Sequence, residues 1–517
     1  MASVVGIDLG TSYSSVATCS SERVGILADD EGQAALPTVV AYRAGQPPLV
    51  GRAARPFLVT DPENTVYSFK RLMGRRMGTP EVRVACAAHP FRVVEGPAGQ
   101  AVVKVAGTQL AIPQVAADVL RHLKGLAEAR LGHEVRDVCI TVPANFDDVQ
   151  REATDVACRL ARLNARRILN EPTAAAMAFG YGANLKGRIA VYDFGGGTFD
   201  FTILEAEGPL LRVLATAGDP FLGGDDVDLA LARAVARHFW RTHDIELQHH
   251  VVSWQRLVMA CEELKRTLSV AEVAPLHLPE MASGPHGPIA LDLVITRPML
   301  EEAAAEHVAR SLHVCQDVLD MASVPPSSLD AVVLVGGTTL MPAVRNAVQR
   351  YFGQAPDTRM DPLAAVAAGA AIQGMILQGG HWRTGTAATL PTLLLDVTPH
   401  SLGIETPQHG FLPVIARNTP IPVEQVRTFF TSMDGQTELT LRVYQGESTD
   451  ARENTYIGEL RLVDLPPSAE GEVAVEVTFE IDVGGRIHLS ARHVGSGKVC
   501  SARLRLAAHN AITGLPA

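Results

Sequence analysis

No Cys-x-x-Cys pair occurs anywhere in the chain, and its seven cysteines (Cys19, Cys86, Cys139, Cys158, Cys261, Cys315 and Cys500) are scattered and odd in number. That pattern argues against a zinc framework or a disulfide-stapled fold, and buried free thiols in a reducing compartment are expected. Basic runs never exceed two residues, aromatics are only 5%, and the formal net charge is −11. Such a balance argues against nucleic acid as the main partner. The first residues lack a basic segment and Asp8 interrupts their apolar stretch, so no signal peptide is expected. The least polar run, residues 363–377, is rich in Ala and Gly, carries Gln373, and is too short and polar to span a bilayer. The expectation is a cytoplasmic protein without a membrane partner.

What is present is length and apolar content. A chain of 517 residues, 47% of them hydrophobic, can form about three domain-sized units or two larger ones, each with its own core. Its organising stretch is residues 189–204, Ile-Ala-Val-Tyr-Asp-Phe-Gly-Gly-Gly-Thr-Phe-Asp-Phe-Thr-Ile-Leu. An apolar run ends at Asp193, Gly195, Gly196 and Gly197 follow, and a second apolar run begins after Thr198 around Asp200. Strand, tight turn and returning strand are predicted. The glycines let backbone N–H groups close around phosphate, and the two acids suit a hydrated metal ion. Residues 4–18 repeat the plan: a strand ending at Asp8, then Gly10, the hydroxyls Thr11 and Ser12, Tyr13, and another strand. Two such copies imply two half-domains facing each other across one polyphosphate and its metal.

Between and after these hairpins, strands and helices alternate through residue 378, which predicts an α/β domain with covered sheets. Helical periodicity marks 113–132, 147–164, 227–240 and 254–269. Residues 138–146 read as a strand closed by Pro143, and Glu171-Pro172 as a helix start. On their residues alone, Lys70 in 68–76 could be a solvated helix residue and Glu171 a partner of the helix dipole. Gly223-Gly224 opens a further helix, and Gly336-Gly337 ends a buried strand where backbone N–H groups could meet a nucleotide. Composition turns linker-like at 379–392, and from 397 the apolar period changes to two. Val473, Val475, Val477, Phe479 and Ile481, then Ile487, Leu489 and Ala491 around a Val-Gly-Gly turn, predict a small β-sandwich. The expected domains are 1–380, a linker 381–396, a sandwich 397–506 and a short tail 507–517.

The motifs GIDLGTSYS, SFKRLMGRR, TVPANF, ILNEPTAAA, VYDFGGGTFD, FLGGDDVD, CEELKRTLS, LVGGTTLMP, LLLDVTPHSLGIET, ARNTPIP and FEIDVGG occur in this order. Together they resemble the 70-kilodalton heat-shock chaperones from about residue 4 to 505. The resemblance implies an α/β actin-like ATPase, two duplicated lobes around a nucleotide cleft, followed by the sandwich as a peptide-binding domain. It implies ATP or ADP with Mg²⁺ and K⁺, the ions held largely through water by Asp8, Asp193 and Asp200. Gly10, Thr11, Ser12, Tyr13 and Gly195 to Thr198 would wrap the phosphates, near Gly223 and Gly224. Lys70 would position the attacking water, and Glu171, Asp193 and Thr198 would order the metal and water shell. Glu262, Lys265, Arg266 and Ser269 would hold the adenosine opposite Gly336 and Gly337. Ile404, Phe429, Leu439, Leu441 and Ile487 would line a slot for one apolar side chain of an extended client peptide, although filling a sandwich core is the plainer role for them. Pro143, Arg151, Arg167 and the Leu393-Leu394-Leu395-Asp396 run would couple the domains and meet a J-domain co-chaperone. A nucleotide exchange factor is a further implied partner, and the chain is expected to be a monomer.

Several residues depart from the family pattern. Leu340 replaces an arginine that stacks on adenine, and Leu363 and Ala364 replace an acidic pair. Pro407 and Ser432 stand where two side chains arch over the peptide. Pro391 and His493 each replace an acid, which bears on domain coupling. A helical lid is not expected after residue 506, so peptide exchange should be fast. Two other classes share the pattern: a small-molecule kinase with the same twin-hairpin core, and a scaffold that reads nucleotide state without cycling. The first lacks a sugar-site insertion and has no evident use for the sandwich. Lys70, Glu171 and Asp193 argue against the second.

Overall fold

The computed structural model describes residues 4–20, 23–181, 185–208, 210–285, 287–379, 383–384, 387–388, 393–495, 499–500 and 505–506. Expectations for Pro391, half of the 381–396 linker and the 507–517 tail lie outside the described residues, and of Leu393 and Cys500 only the backbone is described.

Each of the two acid–glycine motifs is a β-hairpin at the centre of its own sheet. In the first lobe the strand order is Asn164–Asn170, Asp137–Val142, Val5–Asp8, Tyr13–Cys19, Val24–Ile26, the first three parallel and the rest antiparallel. In the second it is Ala331–Val335, Lys186–Phe194, Phe199–Glu207, Leu210–Asp219, Leu393–Leu395. Near-continuous apolar runs such as Val138–Val142 and Ile189–Phe194 are buried because helices cover both faces. Asp193 stands directly opposite Asp200 across the second hairpin, so one turn presents both acids.

The lobes meet through two Ala-rich helices, Glu171–Gly180 and Ala365–Leu377, which are apolar all round and almost wholly buried. Their contact is as close as backbone allows: a Cβ on Gly369 would lie 1.8 Å from the Ala174 carbonyl oxygen. The predicted amphipathic helices are Ile112–Leu131, Asp148–Leu160, Gly224–His243 and Val251–Leu268. Lys70 lies instead on a short 3₁₀ turn, Phe69–Leu72, all four residues of which are buried. Asp147 caps the Asp148–Leu160 helix by accepting from the Gln150 N–H at 2.9 Å, and Gln150 returns a bond to the Asp147 N–H.

The last residues of the expected linker, 393–396, prove to be structure. Leu393–Leu395 adds in parallel to Leu210–Asp219 as the fifth strand of the second lobe's sheet, so the greasy run is held by ladder hydrogen bonds rather than spanning a gap. The alternating segment that follows forms two stacked sheets. One has the order Phe411–Ile415, Leu402–Glu405, Leu439–Gln445, Thr455–Leu462, Arg505–Leu506; the other Val423–Phe430, Ala474–Ile481, Ile487–His493, Val499–Cys500. Their inward Val, Leu, Ile and Phe side chains make a separate core. No helix among the described residues is long and apolar enough to cross a membrane. The six cysteines whose side chains are described are unpaired, with Cys19 and Cys86 only half-buried.

Candidate functional site: a carboxylate cleft and its contact with the sandwich

Both hairpin turns open into one cleft of about 510 Å³ between the lobes. Asp8, Gly10, Thr11, Ser12 and Tyr13 line it from the first lobe, and Asp193, Gly195, Gly196 and Thr198 from the second. The turns touch: a Cβ on Gly196 would fall 1.9 Å from the Ser12 hydroxyl. Side chains then tie the lobes together. Ser12 and Ser68 both donate to Asp225, at 2.8 and 2.5 Å, and Arg71 donates to the Gly197 carbonyl at 2.9 and 2.7 Å while reaching Asp226.

Lys70 is 2% exposed and sits at the floor. Its ammonium donates to Glu171 Oε1 and to the Leu9 carbonyl, both at 2.5 Å. One cation faces several acids here. Burial, then the charge of Glu171, pushes the Asp8 carboxyl up to about 7, with Lys70 and the Thr141 hydroxyl (3.2 Å) acting against the rise. Asp193 is driven well above the carboxylate range by burial and by Glu171, Asp200 and Asp8; Asp200 rises in the same way, mainly by burial. Both Asp200 oxygens are buried without a partner in hydrogen-bond geometry among the described residues. A cleft built like this lacks positive charge, and a cation fits it. No three His, Cys, Asp or Glu side chains among the described residues are grouped so as to hold a metal ion directly.

At the mouth, Tyr13 donates to Glu262 (2.7 Å), and Arg55 reaches Glu262 (2.7 Å) and the Tyr13 hydroxyl (3.1 Å). Arg266 also donates to Tyr13 at 3.0 Å. Burial, then Glu262, raises the Tyr13 phenol to about 12, so it stays a donor. Lys265 is held by Asp228 (2.7 Å) and the Gly224 carbonyl (2.9 Å). Gly336 and Gly337 form the opposite wall with Leu340 and Leu363, which are 38% and 43% exposed.

Not every expected residue reaches the cleft surface. The Ser269 hydroxyl is turned back onto the Lys265 carbonyl at 2.8 Å. Gly197, Gly223, Gly224 and Asp200 lie one layer behind the wall, where Gly223 packs on the Gly196 backbone. Arg55, Arg71, Asp225, Asp226 and Asp228 were missed as site residues. Arg71 follows Lys70 directly, and Asp225 and Asp226 follow the Gly-Gly pair, but in sequence they look like ordinary helix-start acids.

A second constellation lies where the sandwich rests on the first lobe. Asn170 donates its amide to Asp396 at 3.1 Å, while its amide oxygen accepts from Arg151. Asp396 also accepts from the Val397 N–H at 2.9 Å, yet burial holds its carboxyl above the usual range; burial likewise lowers Arg151. Arg167 donates to the Val483 carbonyl (3.3 Å), His400 to the Asn145 carbonyl (2.8 Å), the Asp148 N–H to Gln445 (2.9 Å) and Thr455 to Asp147 (3.1 Å). Pro143 is buried just before this turn, its carbonyl accepting from the Phe146 N–H at 3.2 Å. Within the sandwich, Ile404, Leu439 and Leu441 are buried in the core, with Phe429 and Ile487 packed against it.

Two homologous-looking lobes, each placing an acid and a glycine turn on a shared cleft, followed by a β-sandwich, define the actin-like ATPase class with an appended β-domain. The Hsp70 protein family model matches residues 4–510, and the chain belongs to that family. Members of this family are ATPases that bind ATP or ADP with Mg²⁺, and they act as chaperones.

Proposed function

We propose that this chain is an ATP-gated peptide-binding chaperone: nucleotide in the cleft sets how the sandwich holds extended apolar segments of unfolded clients. The observation that carries this is the adjacency of Asn170 and Glu171. One meets Asp396 at the entrance to the sandwich, and the next meets Lys70 at the cleft floor.

Bound Mg²⁺ supplies charge neutralisation on the phosphates. Asp8, Asp193 and Asp200 would hold its water shell, with Asp8 steadied by Thr141 and with Thr198 alongside to order the waters. Lys70, fixed by Glu171 and the Leu9 carbonyl, holds the attacking water, and its neighbour Glu171 accepts a hydrogen bond without forming a covalent link. The same acidic lining would hold K⁺. The glycine turns follow the phosphates with backbone N–H groups, and the Tyr13–Glu262–Arg55 strap closes over the nucleoside side. In the sandwich, backbone pairing supplies affinity and the Ile404–Phe429–Leu439–Leu441–Ile487 cluster supplies preference for one apolar side chain. A J-domain co-chaperone would engage Arg167 and the Leu394–Asp396 segment.

ATP turnover measured with and without a short Leu-rich peptide tests this function. Stimulation by the peptide, with water as the only phosphoryl acceptor, is expected. Turnover indifferent to peptide would count against gating, and nucleotide binding without turnover would favour the non-cycling scaffold, for which Leu340 and Leu363 at the base wall are the specific observation. Transfer to a small-molecule hydroxyl would make the chain a kinase.

A further inference from the structure

Across the seam between first lobe and sandwich runs an open groove of about 620 Å³ that the nucleotide cycle does not use. Arg136, Arg159 and Arg162 line it from the lobe, and Arg486 lines it from the sandwich. In a protein of net charge −11 this is a local reversal of sign. Two of the four guanidiniums are satisfied: Arg136 by Glu134 (2.7 Å), and Arg159 by Glu152 (2.9 Å) and Asp155. Arg162 and Arg486 are exposed, and their side chains meet no carboxylate among the described residues. Arg486 arrives on the turn between Ala474–Ile481 and Ile487–His493, the same turn whose Val483 carbonyl accepts from Arg167. The groove therefore exists as a four-arginine surface only while the sandwich is seated.

From this we infer that the groove docks an acidic polypeptide segment of a partner protein, bridging Arg162 and Arg486 and favouring the seated arrangement. Carboxylates supply what these two arginines lack, and guanidinium forks match them in pairs. A polypeptide suits the site better than a nucleic acid for two reasons. Glu134 and Asp155 interrupt the positive lining, which penalises an unbroken polyanion. The floor includes Asn164 and Ala165, at the start of the first strand in the sheet order, an end strand that can meet an extended backbone. This partner site goes beyond the chaperone function proposed above and does not depend on ATP turnover.

The test is fluorescence anisotropy of a labelled peptide of alternating glutamate and serine with the full chain at low salt. Binding that falls steeply with salt is expected, together with a loss of about tenfold or more in Arg162→Glu and, separately, in Arg486→Glu. Arg350→Glu, the same charge change at an exposed residue on the Pro342–Phe352 helix, should leave binding within about twofold. Equal weakening by Arg350→Glu, or no weakening by the groove variants, would overturn the proposal. Displacement of the peptide by oligo-thymidine at equal concentration would do so as well, making the groove a general polyanion site. Peptide-stimulated ATP turnover should persist in both groove variants, which separates failure here from failure of the chaperone function.

Discussion

Asn170 donates its side-chain amide to Asp396 at 3.1 Å, and the residue after it, Glu171, accepts from Lys70 at 2.5 Å. Strand Asn164–Asn170 ends where helix Glu171–Gly180 begins, so one junction carries both contacts on rigid elements. A backbone shift at this junction would move both contacts together. The domain seam and the cleft floor thus meet at one peptide bond, and we propose that the coupling between them runs through it.

Breaking the seam end of this junction should uncouple the domains while sparing the chemistry. A hydrogen bond to a charged, buried carboxylate contributes about 1.5–3 kcal/mol. In Asp396→Ala the seated arrangement should therefore lose about tenfold or more in population. Basal single-turnover ATP hydrolysis should stay within a few-fold of the parent, and stimulation by a Leu-rich peptide should vanish. Stimulation that survives in Asp396→Ala would rule the junction out as the coupling element.

Breaking the cleft end should do the reverse. Lys70→Ala removes the cation that faces Glu171, Asp8 and Asp193, and the expected loss in single-turnover hydrolysis is about a hundredfold or more. Stripping one partner from a buried ion pair also costs roughly 3–5 kcal/mol, so the nucleotide-free protein should melt earlier. Pairing the change as Lys70→Met with Glu171→Gln should recover most of that stability and none of the hydrolysis. Calorimetry and quenched-flow hydrolysis on the three proteins separate the two effects.

What could be read from the chain beforehand was whatever the backbone itself encodes. The acid–glycine–hydroxyl hairpins at Asp8 and Asp193 and the period-two strands around Val475 announce their geometry locally, and all are found in place. Pairings between distant segments were hidden. Nothing around Leu393 shows that its run would add to the Leu210–Asp219 strand, since a short apolar run serves a linker equally well. Arg55 and Glu262 lie 207 positions apart, so their contact needs the folded lobes. Lys70 looked like a helix residue because its 3₁₀ turn is too short to show a period.

The strap over the cleft mouth should govern nucleotide retention. Tyr13, Arg55, Glu262 and Arg266 join two lobes through four polar contacts, all partly exposed, so each is of modest strength. Glu262→Gln weakens the charged members together and should raise the ADP off-rate about fivefold. Hydrolysis of nucleotide already bound should be unchanged. Stopped-flow release of a fluorescent ADP analogue reads the first quantity and single turnover the second.

Seating of the sandwich should depend on pH through Asp148. Burial raises its carboxyl from 3.8 to about 7; Arg151 opposes this, while Asp147, Glu152 and Asp482 add to it. Asp482 belongs to the sandwich, so seating is part of the cause. A carboxyl whose pKa is higher when seated takes up a proton on seating. That contribution is fully present below about 4, declines as pH rises, and is gone above about 7, with a slope of up to about tenfold per pH unit. His400 slopes the other way, because burial lowers its pKa from 6.5 and its protonation opposes seating. Asp148→Asn should abolish the decline toward neutral pH and leave the His400 slope. Distance measurement between fluorophores on first lobe and sandwich, from pH 5 to 8, checks the sign; an unchanged profile in Asp148→Asn would exclude Asp148 as the source.

A single methyl group at Gly223 should disable the cleft without unfolding the chain. Its φ is −161°, extended backbone that alanine adopts freely, so the obstacle is contact alone. A Cβ there would lie 2.2 Å from the Gly196 carbonyl oxygen and 2.5 Å from the Gly197 nitrogen. Both neighbours are backbone of the phosphate-facing turn, which cannot rotate away as a side chain could. Relief requires the turn to move toward Ser12 or the Gly224–His243 helix to back off, and overpacking of this kind costs about 1–3 kcal/mol. Gly223→Ala should therefore lower nucleotide affinity by about tenfold or more, with a modest fall in melting temperature. Gly125→Ala is the matched control: it sits mid-helix with nothing within 4 Å of a new Cβ, and should stabilise the chain by up to about 1 kcal/mol while leaving nucleotide binding alone. Isothermal titration with ADP and Mg²⁺ on both variants, alongside thermal melts, decides the matter. Normal affinity in Gly223→Ala would mean that the turn around Gly196 has room to yield and is not held rigid by the helix behind it.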